Sequence, residues 1–271
     1  MVTPESPTVL ALAGGVGGAK LVLGLARCLP HGDLVICVNT GDDETFHGLH
    51  VSPDLDTMMY TLSGLSNQET GWGVAGDTFT ALEMLGKFGV DTWFNLGDRD
   101  FATHIRRSQL LAEGKTLSEV ISELNRSLGV FHNVVPMSND PVKTVLSTDE
   151  GELPMQRYFV GRRAEPKVFE VRYIGVENAT AAPGLLDSLA KCGMLVLCPS
   201  NPYLSLGPIL ALPDVRQLLR DFSGKKVCVS PIVGGDAVKG PAGKIMAELG
   251  KQVSCVEVAR EYQDICDIFV M

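Results

Sequence analysis

The chain of 271 residues has no excess of basic charge, no paired cysteine motif and no long apolar run. Its 23 Lys and Arg against 32 Asp and Glu leave a net charge of −9. That balance argues against nucleic acid or an anionic membrane as the main partner, while leaving room for a locally basic pocket. None of the seven cysteines forms a C-x-x-C pair, which argues against zinc and for buried, reduced thiols. No apolar stretch reaches the roughly 20 residues of a bilayer span. The N-terminus lacks the basic-then-apolar layout of a signal peptide, so the expectation is a cytoplasmic protein. Also missing are H-E-x-x-H, a Ser-His-Asp order and a Cys–His pair. The nucleophile of any reaction is therefore expected to belong to a substrate.

What is present suits an α/β enzyme: 45% apolar residues and 29 glycines. The first third alternates short apolar runs with helical patterns, as parallel βαβ units do. Strands are expected at Val9–Ala13, Leu34–Val38 and Trp93–Leu96. Helices are expected at Lys20–Leu29, Asp54–Ser63 and Thr78–Phe88, the last with Asp77 as its N-cap. After a helix at Leu117–Leu128, the segments Lys143–Ser147, Met155–Val160 and Val168–Ile174 alternate like antiparallel strands. The βα rhythm then returns with strands at Met194–Cys198 and Lys226–Val229 and helices at Pro213–Phe222 and Pro241–Leu249. Val253–Val258 and Ile268–Met271 read as two final strands. The expected fold is one doubly wound, mostly parallel Rossmann-like α/β domain over residues 1–271, with a smaller α+β region inserted over about 115–180.

Ligands of such sheets bind at the carboxyl ends of the strands. Four expected strand ends carry polar or Gly-rich sequence. The first, GGVGGAK, fits neither familiar phosphate loop: Ala19 and Leu21 flank Lys20 where a Walker loop needs Gly and Ser/Thr, and Lys20 replaces the third Gly of G-x-G-x-x-G. Its glycines, Gly15, Gly17 and Gly18 among them, still let backbone N–H groups approach an anion at a helix start, with Lys20 adding charge. The second end, NTGDD, offers Asn39, Thr40, Asp42 and Asp43, and SPDLDT adds Asp54 and Asp56. Hard oxygen donors of this kind suit Mg²⁺. In LGDRDFATHIRRS, Arg99, Arg106 and Arg107 are forks able to meet a diphosphate, beside Asp98, Asp100 and His104. Ser200 and Asn201 in PSNP, and Gly235, Lys239 and Lys244 in GGDAVKGPAGK, are candidates for base or phosphate contacts. Turn punctuation, capping and a solvated helix face are the competing explanations for each.

Taken together, GGVGGAK, NTGDD, SPDLDT, WGVAGDTF, LGDRDFATHIRRS, PMSNDPV, PSNPYLSLGPI and SPIVGGDAVKGPAGK occur in the order seen in the 2-phospho-L-lactate transferases of coenzyme F420 biosynthesis, over nearly the whole chain. Members of that family run somewhat longer. The resemblance implies a Mg²⁺-dependent phosphotransferase. It would move a phosphorylated three-carbon acid (2-phospho-L-lactate, or its enolpyruvyl or 3-phosphoglyceryl analogue) from a guanosine diphospho donor to the deazaflavin alcohol Fo. GMP would leave and F420-0 or its analogue would form. It further implies that Asp56 lies near Fo, with Asn95 standing where the family carries a basic residue. The Gly loop, Ser200, Asn201 and the 234–243 loop would face the guanosine diphosphate, and Asp42, Asp43 and Asp54 would lie near the metal. Since Asp56 is expected to be an exposed carboxylate, Asp56→Ala is expected to lower turnover without harming the fold. A homodimer is the default assembly. Two alternatives stand beside this one: a non-catalytic nucleotide-sugar-binding regulator, like the gluconeogenesis-factor proteins that share the Gly loop, and an unrelated nucleotide-dependent kinase, which the broken Walker pattern disfavours.

Overall fold

The computed structural model describes residues 8–271; the first seven residues, on which the reading of the N-terminus rests, lie outside them. β1 (Val9–Ala13) runs directly into α1 (Gly15–Cys28), and β2 (Leu34–Val38) follows. A tight hairpin of β3 (Glu44–Phe46) and β4 (Leu49–Val51) leads into α2 (Pro53–Leu62), which starts with Pro in its first turn. Three helices come next: α3 (Thr80–Lys87), α4 (Asp98–Ala112) and α5 (Leu117–Ser127), the last opened by a Thr116/Glu119 capping box. β5 (Asn133–Pro136) returns to the main sheet. β6 (Lys143–Thr148), β7 (Gly151–Pro154) and β8 (Val168–Ile174) form a separate antiparallel sheet in the order β7-β6-β8.

The rest of the chain completes the parallel sheet. α6 (Pro183–Lys191) precedes β9 (Met194–Leu197); α7 (Leu206–Ala211) and α8 (Val215–Asp221) precede β10 (Lys225–Val229). After the small hairpin β11 (Ile232–Val233) and β12 (Asp236–Ala237) come α9 (Ala242–Glu248), α10 (Cys255–Glu261) and β13 (Ile268–Val270). The main sheet has six parallel strands ordered β13-β10-β9-β1-β2-β5. It is the expected doubly wound α/β sheet, with strand order turning back at β1 and β9. Its central strands are buried on both faces: Leu10 and Leu12 face one core, Val9, Ala11 and Ala13 the other. Among the cysteines, Cys37, Cys192, Cys198 and Cys228 are buried and all seven are free thiols.

Several expected elements are corrected. The helix after β1 begins at Gly15, not Lys20, so the Gly-rich segment is the first turn of α1. Trp93–Leu96 pairs with no strand; Phe94 instead stacks on Phe46 with ring centroids 4.0 Å apart, and Trp93 meets the same ring edge-on. Met155–Val160 is not a strand, because the chain leaves β7 into a π-helical turn at Arg157–Gly161. Val253–Val258 lies largely in α10, whose N-cap Ser254 accepts the Glu257 N–H. Asp77 does not cap α3. It accepts the N–H groups of Arg99 and Asp100 at the start of α4, at 2.9 and 3.1 Å, while Asp98 of α4 accepts those of Thr80 and Ala81 at the start of α3. The two helices thus cap each other. Gly97 is required there, because a Cβ would fall 2.2 Å from the Asp77 carboxylate.

Candidate functional site

Three of the four Gly-rich or polar segments meet at the carboxyl ends of the adjacent strands β2, β1 and β9. Asn39, fully buried after β2, is their hub. Its side-chain amide donates to Asp42 Oδ1 (3.1 Å), Asp54 Oδ2 (3.0 Å) and the Leu204 carbonyl (3.2 Å), and its Oδ1 accepts the Gly41 N–H at 2.8 Å. Gln156, from the turn after β7, donates to the other oxygen of Asp42 at 3.1 Å. Asp54 also accepts the Gly15 N–H at 2.7 Å, so a carboxylate from the start of α2 sits on the positive end of α1. Asp43 accepts from Ser52 Oγ at 2.7 Å and pairs with His50 Nε2 at 2.9 Å.

The partners of Asp42 and Asp54 are amides and a backbone N–H, which bring no positive charge. Burial pushes the Asp42 carboxyl well above its usual range, and the charges of Asp54 and Asp43 push it further. Burial raises Asp54 to about 6 against the lowering effect of Asn39 and Gly15. It raises Asp43 too, opposed by His50 and Ser52. Asp43 Oδ1 and Thr40 Oγ1 are buried without a hydrogen-bond partner among the described residues. Asp42, Asp43 and Asp54 thus have no Lys or Arg bonded to them, although the charge of Arg107 also lowers Asp43.

The start of α1 is built for close approach. A Cβ on Gly17 would lie 2.4 Å from the Pro199 carbonyl oxygen, one on Gly18 2.6 Å from Ser200 Oγ, and one on Gly14 2.5 Å from Asp54. Ser200 Oγ accepts the Gly14 N–H at 3.1 Å and donates to the Gly14 carbonyl at 2.8 Å, locking the β9 loop to the helix start. Gly15 has φ +64°, which a side chain would strain. The glycines thus have a packing reason, and they also leave first-turn N–H groups that lack intrahelical acceptors.

A second polar cluster lies between α2 and α4. Arg107, wholly buried, donates to both carboxylate oxygens of Asp56 (3.1 Å to Oδ2) and to the His50 carbonyl at 3.3 Å. His104 Nε2 is 3.2 Å from Asp100 Oδ1, and Tyr60 donates to that same oxygen at 2.7 Å. Burial opposes ionisation of Asp100, yet His104, Tyr60 and Arg107 outweigh it and hold the carboxyl below its usual range. Asp56, Asp100 and His104 offer metal-ligand atoms within 4.8 Å of one another. The ion pair spans 51 residues of sequence, and no local pattern marks it. Asp56 is not the exposed carboxylate expected from sequence. It is 5% exposed, and Asp56→Ala would strand a buried guanidinium, so that substitution would cost stability as well as any activity.

The other candidates are spread more widely. Arg99 is exposed and donates to the Ala75 carbonyl at 3.2 Å; Arg106 is paired with Glu123. Lys20 and Asn95 are exposed. Asn201 accepts the Tyr203 and Leu204 N–H groups at 2.9 and 3.1 Å, shaping the β9 loop from within. Gly235 is exposed at φ +90°. Lys239 reaches the Thr70 carbonyl, beside Gly71, where a Cβ would lie 3.0 Å from Val16 of α1. The 234–240 and 67–76 loops therefore meet beside the Gly-rich turn. Lys244 is tied to Glu248 and the Pro166 carbonyl.

An α/β fold with polar and Gly-rich segments gathered at its strand switch has its candidate ligand site there, and comparison with known proteins narrows what the protein does. The family model described as 2-phospho-L-lactate transferase CofD matches residues 9–271, and the chain belongs to that family. It is 41% identical over 262 residues to the 2-phospho-L-lactate transferase of Methanosarcina mazei, covering 97% of this chain and 86% of that one. It is 42% identical over 259 residues to the phosphoenolpyruvate transferase of Streptomyces griseus, covering 94% and 81%. Two crystal structures of a UPF0052-family protein from Bacillus halodurans share the fold. One has TM-score 0.62 at 17% identity over 98% of this chain and 80% of the other; the second has 0.58 at 19% over 83% and 69%. The chain is thus a transferase of the phospholactate-transferase type. Among the described residues no helix is long and apolar enough to cross a membrane.

Proposed function

We propose that this enzyme moves a phosphorylated three-carbon acid from a guanosine diphospho donor to a hydroxyl of Fo, in F420 biosynthesis. The acceptor hydroxyl attacks the phosphorus that carries the acid. The P–O bond to GMP breaks, GMP leaves with the bridging oxygen, and the hydroxyl proton is lost to a base or to water. The observation that carries this reading is the convergence at Asp54, which joins the anion-binding end of α1 to the acidic set of β2. A diphosphate lying along the α1 terminus would meet first-turn N–H groups on one side and a cation held by acids on the other.

Hard carboxylate ligands suit Mg²⁺, which takes one or two of them beside substrate phosphates, and Asp43 Oδ1 and Thr40 Oγ1 are buried without partners among the described residues. Asp42, Asp43 and Asp54 would hold the ion, which when bound neutralises the diphosphate and stabilises charge on the leaving group. Asn39 and Gln156 keep the acids in place. Gly15, Gly17, Gly18, Lys20, Ser200, Asn201, Gly235 and Lys239 are assigned to the donor side and Asp56 and Asn95 to the Fo side, following the family; Asn39, Thr40 and Arg99 join the donor side on the chemistry of their side chains. The antiparallel insertion contributes to the site through Gln156. The reading includes a cytoplasmic location and a homodimer, the default assembly for such an enzyme.

Relatives named for phospholactate and for phosphoenolpyruvate are equally similar, so identity does not choose the three-carbon unit. The test is to assay the lactyl, enolpyruvyl and 3-phosphoglyceryl donors, each with Fo and Mg²⁺. One donor is expected to support formation of an F420-0-type product with release of GMP. Failure of Fo and of all three donors to bind, followed by Fo absorbance and calorimetry, would overturn the reading.

A further inference from the structure

We infer that His50 is a positioning residue for the acidic cluster: it turns Asp43 so that Oδ1 faces the cation and is itself held in place by α4. The inference rests on the proposed cation site. Asp43 gives one oxygen, Oδ2, to two donors, His50 Nε2 at 2.9 Å and Ser52 Oγ at 2.7 Å. Its other oxygen, Oδ1, is buried and receives none among the described residues. Both donors on one oxygen fix the carboxylate plane and leave the other oxygen free for a ligand. Partners of this kind orient metal-binding carboxylates, and their removal typically costs about 10–100-fold in metal affinity or activity.

The position of His50 is fixed in turn. Its backbone N–H donates to Ser108 Oγ at 2.8 Å, and its carbonyl accepts from Arg107 at 3.3 Å. Consecutive residues of α4 therefore hold both polar backbone groups of one residue in β4. The neighbouring His47 has φ +54° at the hairpin turn, so the short β3–β4 hairpin sets the angle at which His50 emerges. The motif LGDRDFATHIRRS thus acts on the cluster from behind. Its Ser108 and Arg107 hold His50 by hydrogen bonds, and the charge of Arg107 also favours the Asp43 anion. The His50 side chain is about one-third exposed, so its removal leaves no buried void.

The test compares wild type, His50→Ala, His50→Gln and Ser52→Ala. Mg²⁺ binding is measured by calorimetry with Mn²⁺ electron paramagnetic resonance as a second probe, and each fold is checked by circular dichroism. His50→Ala is expected to weaken cation affinity roughly 10–100-fold, with unchanged secondary structure. His50→Gln, whose amide can still donate to Asp43, is expected to recover most of that loss; Ser52→Ala is expected to lose less than His50→Ala. Equal affinity in wild type and His50→Ala, or equal loss in His50→Ala and His50→Gln, overturns the inference. If wild type binds no divalent cation in either assay, the cation site itself fails, which is a separate result.

Discussion

Two groups of buried acids lie close together in this protein and are neutralised in opposite ways. Between α2 and α4, Asp56 meets the guanidinium of Arg107 and Asp100 meets His104 and Tyr60, so charge is matched inside the protein, while His104 Nε2 and Arg107 Nε are buried without a hydrogen-bond partner among the described residues. At the ends of β1 and β2, Asp42 and Asp54 are held by an amide and a backbone N–H, and their carboxyls rise instead of ionising freely. The contrast separates acids whose charge is paired inside the protein from acids whose charge is not. Paired acids are stable as anions without an outside charge, whereas carboxylates gathered without a cation are stable as anions only when one arrives.

The comparison is broken most strongly at Arg107. Arg107→Leu leaves Asp56 buried and unpaired, and is expected to destabilise the fold by about 3–5 kcal/mol in urea denaturation. An unchanged midpoint would show that Asp56 is not held as described. Next in size is the pH response of protein treated with chelator. Asp54 titrates near 6 when folded against an ordinary 3.8, so the folded state keeps a proton that the unfolded chain has released. Stability is therefore present below about pH 4 and falls as pH rises to about 6, by up to about 3 kcal/mol from this group. Thermal midpoints from pH 4 to 7 should show the fall, Asp54→Asn should lessen it while Asp42 and Asp43 keep the remainder, and Mg²⁺ should restore stability at pH 7. An equal slope in wild type and Asp54→Asn contradicts it.

A smaller effect is expected at Ser200. Ser200→Ala removes both bonds to Gly14 and should cost about 1–2 kcal/mol, with weaker guanosine diphosphate binding as the β9 loop loosens. Intact stability and binding would reduce Ser200 to a bystander. The smallest lies far from the acids: Asp77→Ala uncaps α4 and should cost about 1 kcal/mol in denaturation without changing cation binding.

Much of this arrangement is legible in the sequence, and what is not has physical causes. β1, β2 and β9 stand out because strands buried on both faces are unbroken apolar runs, and the polar segments after them mark the site. The Gly-rich turn reads as a loop because glycine is a poor helix former. The close approach of Pro199 and Ser200, which requires helix without side chains there, is set by residues about 180 positions away. Trp93–Leu96 has the composition of a strand, but its aromatic rings find Phe46 and no ladder partner. α10 carries a readable signal, Ser254 three residues before Glu257, which outweighs the β-branched valines. The Asp56–Arg107 pair carries none: only the docking of α4 on α2 brings the two together.

The most direct measurement is calorimetric titration of Mg²⁺ into chelator-treated protein with GDP present, for wild type, Asp43→Asn and His104→Gln. One site in wild type, lost or weakened at least about 100-fold in Asp43→Asn and kept in His104→Gln, is the expected result. Binding that survives Asp43→Asn but disappears in His104→Gln would place the cation among Asp56, Asp100 and His104 and contradict the division drawn between the two acidic groups.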